Sequence, residues 1–308
     1  MEKDYLVFVE KLRQEFLRVM DSEEASVVFK RKEEHPETDE DRMYLFLREN
    51  GAKIGCGIYT RELYREDMDD KSVEALVAEV LRRISQMRRL PGLKRSLQAA
   101  DYEAVKNRLF IRPLSWQRNQ KELEGIVYDR IGDIALVLYQ RLGEQEGTLI
   151  SVKIRKEMLE AWQLDKRSVM EKAMKNTCRQ APPRFYLWKR LMDDPDDYEG
   201  EAFIEPYASW QLNRDAFGNC LSTTSRVNGA VAVFYPEVAE KIADILDSGF
   251  YMAFTSIHEV MIHSDQSSEP EELRKILRDT IKKATPPEEV LSYRIYHYDR
   301  DTGEITWE

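Results

Sequence analysis

The residues best suited to acid–base or metal chemistry are histidines, and two of the four in the chain lie within the hexapeptide HEVMIH, from His258 to His263. In the HExxH motif of zinc proteases, two histidines four residues apart on a helix both reach one metal. Here the separation is five residues. Five residues turn a helix through about 500°, and on a strand an odd separation puts the side chains on opposite faces. The spacing therefore predicts that the two rings point to different sides of an extended segment and do not chelate a metal locally.

A site assembled from several strands is the remaining way for these residues to act together. The candidates for acid–base or metal-binding groups in a hydrolase of unrecognised type are His258, Glu259, His263 and His297. A concave site that gathers two or more of them would favour an enzyme. Side chains that lie apart in solvent, or are locked in packing, would favour a binding protein. Neither a cofactor nor a resident metal is predicted.

Two other arrangements of side chains are compatible with catalysis, a cysteine followed by a histidine and a pair of carboxylates. Cys220 precedes His258 in the order that papain-like proteases use, but no helix N-terminus that would lower a thiol pKa is predicted around it. We therefore expect Cys220 to be a buried apolar cysteine. Asp129 and Asp133 are four residues apart and could form a carboxylate pair, although Asp133 better suits a turn at the start of a strand.

Composition limits the class of protein. The chain has 308 residues, of which 42% are hydrophobic and 34% charged, and its net charge is −10. An acidic surface argues against nucleic acid and anionic membranes as partners, because both require positive potential. Three widely spaced cysteines suit free thiols in a reducing cytoplasm. We find no signal-peptide pattern and no apolar run long enough for a membrane span, so the sequence predicts a soluble, cytoplasmic protein.

The sequence contains one dense cluster of basic residues, although its net charge is negative. It begins within a predicted amphipathic helix that Ser72 would cap and Pro91-Gly92 would end, and its members within residues 82–95 are Arg82, Arg83, Arg88, Arg89, Lys94 and Arg95. Weak nucleic-acid binding through this helix is one interpretation. The other is the solvated back of the helix, with cations favoured near its C-terminus. The cluster lacks the aromatic residues that stack on bases, which favours the second interpretation.

Hydrophobic periodicity predicts an α+β fold with mixed, largely antiparallel sheets, amphipathic helices packed on them and two subdomains, residues 1–96 and 97–308. A helix from Tyr5 to Met20 and three strands precede the basic helix. After Pro91-Gly92, the predicted strands lie at 109–113, 134–139, 149–154, 230–234, 250–254 and 257–262, with a closing hairpin of 293–298 and 304–307. Helices are predicted at 156–162, after a cap at Asp165, from Pro236 to Gly249, and after a capping box of Ser268 and Glu271.

Three segments carry a resemblance to a known family. They read IRPLSWQRNQKELEGIVYDRIGDIALVLY from Ile111, VNGAVAVFYPEVAEKIADILDSGFYMAFTSIHEVMI from Val227, and PPEEVLSYRIYHYD near the end. With GIYTRELYRED near Tyr59, the chain resembles, over nearly its whole length, a bacterial domain family of unknown function found largely in Gram-positive gut bacteria. It departs from the pattern at Ala253-Phe254, where Leu-Pro is expected. The resemblance implies a fold and a bacterial cytoplasmic setting, and it transfers no catalytic residue.

Two α+β units without a convergent set of catalytic side chains favour a non-enzymatic interaction or accessory role, with a protein as a plausible partner. The alternatives are the hydrolase described above and weak nucleic-acid binding through the helix at 82–95.

Overall fold

The computed structural model describes residues 2–20, 25–33, 41–49, 52–66, 68–88, 101–145, 148–187, 190, 193, 198–203 and 219–308. The chain divides into two compact units, Met1–Lys94 and Arg95–Glu308. Helices and strands alternate in both units, and the strands pair in antiparallel sheets. The predicted α+β class is confirmed. No helix in the described part of the chain is both long and apolar enough to cross a membrane.

The N-terminal unit is a three-stranded antiparallel sheet with two long helices. Its elements are α1 (Glu2–Val19), β1 (Ala25–Lys30), β2 (Arg42–Glu49), β3 (Ala52–Tyr59), the single turn α2 (Thr60–Leu63) and α3 (Asp70–Arg88). The apolar stripe of α1 is buried, as its three- and four-residue spacing predicts. It packs with inward-facing strand residues such as Met43 and Leu45 and with Val73 and Val77 of α3. The predicted cap of α3 is wrong by one turn: Asp69 accepts hydrogen bonds from the backbone and hydroxyl of Ser72, because a carboxylate before the first turn satisfies its N–H groups.

The second unit begins with a four-stranded antiparallel sheet. A short helix α4 (Tyr102–Val105) and a 3₁₀ turn (Lys106–Arg108) lead into β4 (Leu109–Ser115), the turn α5 (Trp116–Asn119), β5 (Tyr128–Ile131), β6 (Ile134–Gln145) and β7 (Thr148–Lys153). The predicted antiparallel pairing of β6 with β7 is confirmed. Two helices follow, α6 (Lys156–Trp162) and α7 (Lys166–Gln180), and Asp165 caps the second as predicted.

The part of the chain from Pro183 onward forms a six-stranded antiparallel sheet in the order β13-β12-β10-β11-β9-β8. Its strands are β8 (Pro183–Leu187), β9 (Asn219–Thr223), β10 (Phe250–Ala253), β11 (Val260–Ser264), β12 (Ile295–Tyr298) and β13 (Ile305–Trp307). Its helices are α8 (Val238–Leu246) and α9 (Pro270–Ala284), with a 3₁₀ turn at Pro287–Glu289. The predicted closing hairpin is confirmed as β12 and β13. Strands β8 and β9 were not predicted, because both lie beside polar or proline-rich stretches without clear alternation.

The predicted strand at 230–234 is wrong. Gly229–Phe234 is a 3₁₀ helix, entered from Asn228 in the left-handed conformation. A Cβ on Gly229 would lie 2.1 Å from Ser222 Oγ and 2.5 Å from the carbonyl oxygen of His258, so the backbone itself is pressed against two neighbouring segments. Residues 229–233 are all buried. A short apolar run enclosed on every side has no periodicity that separates strand from helix.

Both ends of α8 and the start of α9 also differ from prediction. The first helix starts two residues after Pro236 and ends with Asp247 in the left-handed conformation, before Gly249 is reached. Gly249 is instead needed where the backbone runs close to Asp265 and Tyr298. The second helix starts at Pro270, which suits a first helical position because it lacks an N–H. Ser268 and Glu271 form no capping box there.

The six-stranded sheet buries both of its faces. One face joins the large core shared with the four-stranded sheet, through residues such as Phe250, Met252 and Ile262. Helix α9 covers the opposite face: Leu273, Leu277 and Ile281 pack on Ala253, Ile295 and Met261. The apolar spacing of α9 predicts this stripe, but Ile276, which the same spacing includes, is 41% exposed. This second layer is what creates a cavity beside the predicted site residues.

Candidate functional site

A cavity of about 410 Å³ lies between helix α9 and the sheet. Strands β9, β10 and β11 supply its floor, α9 supplies one wall, and the bend before β11 and the 3₁₀ turn after α9 supply its polar end. The lining residues are Cys220, Ala253, Thr255, Ser256, His258, Glu259, Met261, His263, Leu273, Ile276, Leu277, Thr280, Ala284, Thr285 and Glu289. Three of the four candidate residues predicted from the sequence, His258, Glu259 and His263, therefore share one pocket.

Strand alternation explains how Glu259 and His263 come to face the same space. Glu259, Met261 and His263 are two residues apart, and in an extended chain such residues lie on one face. Met261 is paired with Ala253 of β10 and with Cys220 of β9. Directly paired residues project to the same side of a sheet, so this row forms a continuous, largely apolar floor.

His258 reaches the same pocket by a different route. It precedes β11, in a bend where Ser256 Oγ accepts a hydrogen bond from its backbone N–H at 3.0 Å. Its carbonyl oxygen accepts one from Ser222 Oγ at 2.7 Å. The prediction that the rings of His258 and His263 point to opposite sides treated both residues as parts of one extended strand. His258 instead lies in a bend before β11, so strand alternation does not apply to it, and both residues line the cavity.

Both ring nitrogens of His258 are engaged. Nδ1 accepts a hydrogen bond from the backbone N–H of Asn228 at 3.0 Å, which fixes the tautomer with its hydrogen on Nε2. Nε2, which carries the hydrogen in this tautomer, lies 3.3 Å from Oε1 of Glu289. The imidazole thus offers no lone pair to take a proton from a substrate. Its geometry is that of a residue that positions the bend and Glu289.

The carboxylate of Glu259 is held at one oxygen. Oε1 accepts hydrogen bonds from Thr255 Oγ1 at 2.8 Å and from Ser256 Oγ at 3.4 Å. No donor among the described residues bonds to Oε2. Glu259 therefore lines the cavity in a fixed orientation and keeps the capacity to accept a further hydrogen bond.

Burial decides the protonation states of His263 and Cys220, which also lie in the floor of the cavity. It lowers the pKa of His263 to about 4, because the charged imidazolium would lose its hydration, and the ring is neutral at pH 7. Burial, reinforced by the nearby Glu259 carboxylate, raises the pKa of the Cys220 thiol well above its ordinary value. Cys220 is 4% exposed, as the prediction of a buried cysteine requires. It is a thiol and not the thiolate that acts as a nucleophile.

His297, the fourth candidate, does not line the cavity. It lies on β12, where Nε2 is 2.9 Å from Oδ2 of Asp265 and the ring packs on Tyr251. Tyr251 is paired with His297 on one side and with His263 on the other. Within the described ranges, no group of three or more His, Cys, Asp or Glu residues is arranged to hold a metal ion.

The remaining sequence candidates are occupied by structural contacts. Asp129 forms an ion pair with Lys166 at 2.7 Å. Asp133 is buried and accepts hydrogen bonds from the hydroxyls of Ser292 and Tyr296, so it ties the start of β6 to the last strands. In the basic helix, Arg82 and Arg83 both bind Glu79, one turn earlier. The side chain of Arg88 and the residues at 89, 94 and 95 lie outside the described part.

Sequence reasoning missed the other half of the site. Thr280, Thr285 and Glu289 come from α9 and the turn after it, and no motif marks them. Thr285 Oγ1 donates to the carbonyl oxygen of Thr255 at 2.8 Å, and the backbone N–H of Ile257 donates to the carbonyl oxygen of Glu289 at 2.8 Å. These bonds join segments 30 residues apart. The two-residue spacing of Glu259, Met261 and His263 was the one available signal of a shared face.

The match to a known family covers both units. The sequence model of a family of unknown function, DUF5688, matches residues 5–300. The chain belongs to this family. No curated protein and no solved structure matches this DUF5688 protein. The resemblance to a family of unknown function is thereby confirmed, and its distribution among Gram-positive gut bacteria stays a prediction.

Proposed function

We propose that this DUF5688 protein is a non-enzymatic binding protein that holds a small, largely apolar ligand between α9 and the sheet. The observation that supports the proposal is the cavity itself, which combines an apolar floor and wall with a few polar groups at one end. Ligand sites in proteins measure about 300–1,000 Å³ and are built in this way. The volume of about 410 Å³ falls within that range.

The state of the polar groups favours binding over catalysis. The gathering of His258, Glu259 and His263 in one concave site meets the criterion that would favour an enzyme. Acyl transfer through a covalent intermediate, however, also needs a nucleophile that a neighbouring base or a lowered pKa activates. Cys220 is the one thiol among the described lining residues and its pKa is raised, while Nδ1 of His258 already accepts a hydrogen bond from the backbone of Asn228. The absence of an activated thiol from these lining residues supports binding of a ligand that is released unchanged.

The test uses a methyl group in the floor of the cavity as the reporter. In protein labelled with ¹³C-methyl methionine, titration with 1-octanol is expected to shift the resonance of Met261 and to leave that of Met43, which lies in the core of the N-terminal unit, unchanged. Thr280→Trp, which fills the cavity from α9, should abolish the shift. Lys282→Trp introduces the same side chain at an exposed position of α9 that does not line the cavity, and it should leave the shift of Met261 intact.

Two results would overturn the binding proposal. One is a Met261 resonance that stays in place up to the solubility limit of the alcohol. The other is an unchanged titration in the Thr280→Trp variant, since octanol would then bind elsewhere.

A hydrolase is the second candidate, and the shared pocket of His263, Glu259 and Cys220 is the observation that favours it. In that case the neutral ring of His263 would act as the general base. A series of p-nitrophenyl esters of increasing acyl length tests this directly. Turnover that is lost in His263→Gln and kept in His297→Gln would establish the hydrolase, whereas hydrolysis equal to that in buffer would exclude it for these esters.

We propose a bacterial cytoplasm as the setting. The three cysteines, Cys56, Cys178 and Cys220, are all free thiols, which supports a reducing compartment. The net charge of −10 supports the expectation that nucleic acid is not the partner. Fractionation of native cells, followed by detection of the protein beside a cytoplasmic marker, tests the location.

A further inference from the structure

The polar end of the cavity carries negative charge. Two of its lining residues, Glu259 and Glu289, are carboxylates, and none of the described residues that line it is a lysine or an arginine. His263 adds no positive charge at pH 7, because burial keeps its ring neutral. The imidazole of His258, whose Nδ1 accepts a hydrogen bond from Asn228, lies with Nε2 3.3 Å from Oε1 of Glu289. The site as a whole is therefore complementary to a cation.

The hydrogen bonds at this end hold the two acidic residues in one place. Glu259 is fixed through Thr255 and Ser256. Thr255 is in turn bound by Thr285, and the backbone of the bend is bound by the carbonyl of Glu289. The bend and the turn after α9 therefore form one connected, preorganised unit. A preorganised acceptor binds a charged donor without the entropy loss of ordering flexible side chains.

The apolar wall and floor define the rest of the ligand. Leu273 and Leu277 of α9 are nearly inaccessible to solvent, and Ile276 on the same helix is 41% exposed. With Ala253 and Met261 of the floor they offer hydrocarbon contact and no hydrogen-bonding group. A ligand that fills this space has an apolar body. An anionic head on that body would meet two carboxylates and would be repelled.

On the basis of the proposed binding function, we infer that the ligand is a cationic amphiphile: an apolar chain that carries a protonated amine, with its ammonium group against the carboxylate of Glu259. The ammonium donates a hydrogen bond to Oε2, the oxygen that accepts none from the described residues, while the chain lies along α9. Glu289 contributes the second negative charge at the same end of the cavity.

Three probes of equal chain length test the inference: octylamine, 1-octanol and octanoate, titrated separately into the full chain at pH 7. The amine is protonated at this pH, the alcohol is neutral and the acid is ionised. We expect octylammonium to bind about tenfold or more tightly than octanol, since each charge-assisted hydrogen bond is stronger than a neutral one. Octanoate should bind least. The Met261 resonance places each probe in the cavity.

Glu259→Gln removes the charge and keeps the size and the acceptor for Thr255. It should reduce the affinity for octylammonium to the affinity that the same variant shows for octanol. The matched control is Glu272→Gln, which removes the same charge from an exposed position on α9 outside the lining and should alter neither affinity. If Glu259→Gln does not fold, the three probes on the unaltered chain still decide the charge preference, and Glu289→Gln serves as the second variant.

The outcomes separate this inference from the proposed function. If none of the probes shifts Met261, the pocket binds no apolar ligand and both fail. If octanol or octanoate binds as tightly as the amine, or if Glu259→Gln leaves amine binding intact, the cationic ligand is excluded and the apolar binding function stands.

Discussion

Nε2 of His258 lies 3.3 Å from Oε1 of Glu289, and this contact joins the bend before β11 to the turn after α9. The two residues are at opposite ends of a segment that contains one strand and one helix. On its other side, the His258 ring accepts the backbone N–H of Asn228, at the entrance to the 3₁₀ helix. A single side chain thus holds three segments around the polar end of the cavity.

His258→Ala should destabilise the second unit by about 1–3 kcal/mol, because the N–H of Asn228 and the carboxylate of Glu289 both lose a partner. The free energy of unfolding in urea measures the effect. Glu288→Ala, an exposed neighbour that forms no such contact, is the control. A double-mutant cycle of His258 with Glu289 should give a coupling energy of about 0.5 kcal/mol or more. Additive losses would show that the two side chains do not interact.

Cys220 should be the least reactive of the three cysteines. Burial raises the pKa of all three thiols, but the increase for Cys220 is the largest and Glu259 adds to it. Alkylation by iodoacetamide in the native state, followed by mass spectrometry of the peptides, should modify Cys56 and Cys178 before Cys220. All three should react at similar rates in denaturant. Fastest modification of Cys220 would reveal an activated thiolate and would favour the hydrolase.

The neutral His263 should make stability depend on pH below neutrality. Its pKa is lowered from 6.5 to about 4, so between these values the unfolded chain binds a proton that the folded chain does not. The stability that the neutral His263 ring allows, measured as the free energy of unfolding, is therefore complete above pH 6.5. It is lost as the pH falls toward 4. From pH 7 to pH 5 the loss is about 2 kcal/mol.

His263→Gln provides the comparison for this pH dependence, because other groups also titrate in the same range. Between pH 7 and pH 5, the free energy of unfolding in urea should fall by about 2 kcal/mol less in the variant than in the original chain. Equal losses in the two proteins would mean that His263 has an ordinary pKa in the fold.

Gly229→Ala should destabilise the chain by more than about 2 kcal/mol, since a Cβ would overlap Ser222 Oγ and the backbone of His258 and Thr223. Gly57→Ala is a suitable control: its nearest neighbour is the ring of Tyr44 at 3.4 Å, which is ordinary van der Waals contact. Circular dichroism during thermal unfolding measures both. A Gly229→Ala variant as stable as the original chain would show that the close approach of these segments is absent.

The elements that could be predicted are those in which local pattern and burial agree. The stripe of α1 and the alternation in β1 to β3 each define one buried face, and these elements were placed to within a few residues. The apolar run of β6 is buried on both faces, as its continuity predicts, and the strand begins where it was predicted to begin. The 3₁₀ helix at Gly229–Phe234 could not be predicted, because five consecutive buried residues carry no periodicity that separates a helix from a strand. Strand β9 was missed for the same kind of reason: it is buried throughout, including its polar residues.

The sequence by itself determined the α+β class and the order of most elements, and it singled out His258, Glu259 and His263 as candidate residues. Only the tertiary structure decided that His258 joins the other two, because that depends on a bend fixed by Ser222, Ser256 and Glu289. It also decided the charge states of Cys220 and His263, since a pKa follows from burial and neighbouring charges rather than from spacing. Hydrophobic periodicity is local, whereas a cavity exists only where distant segments meet.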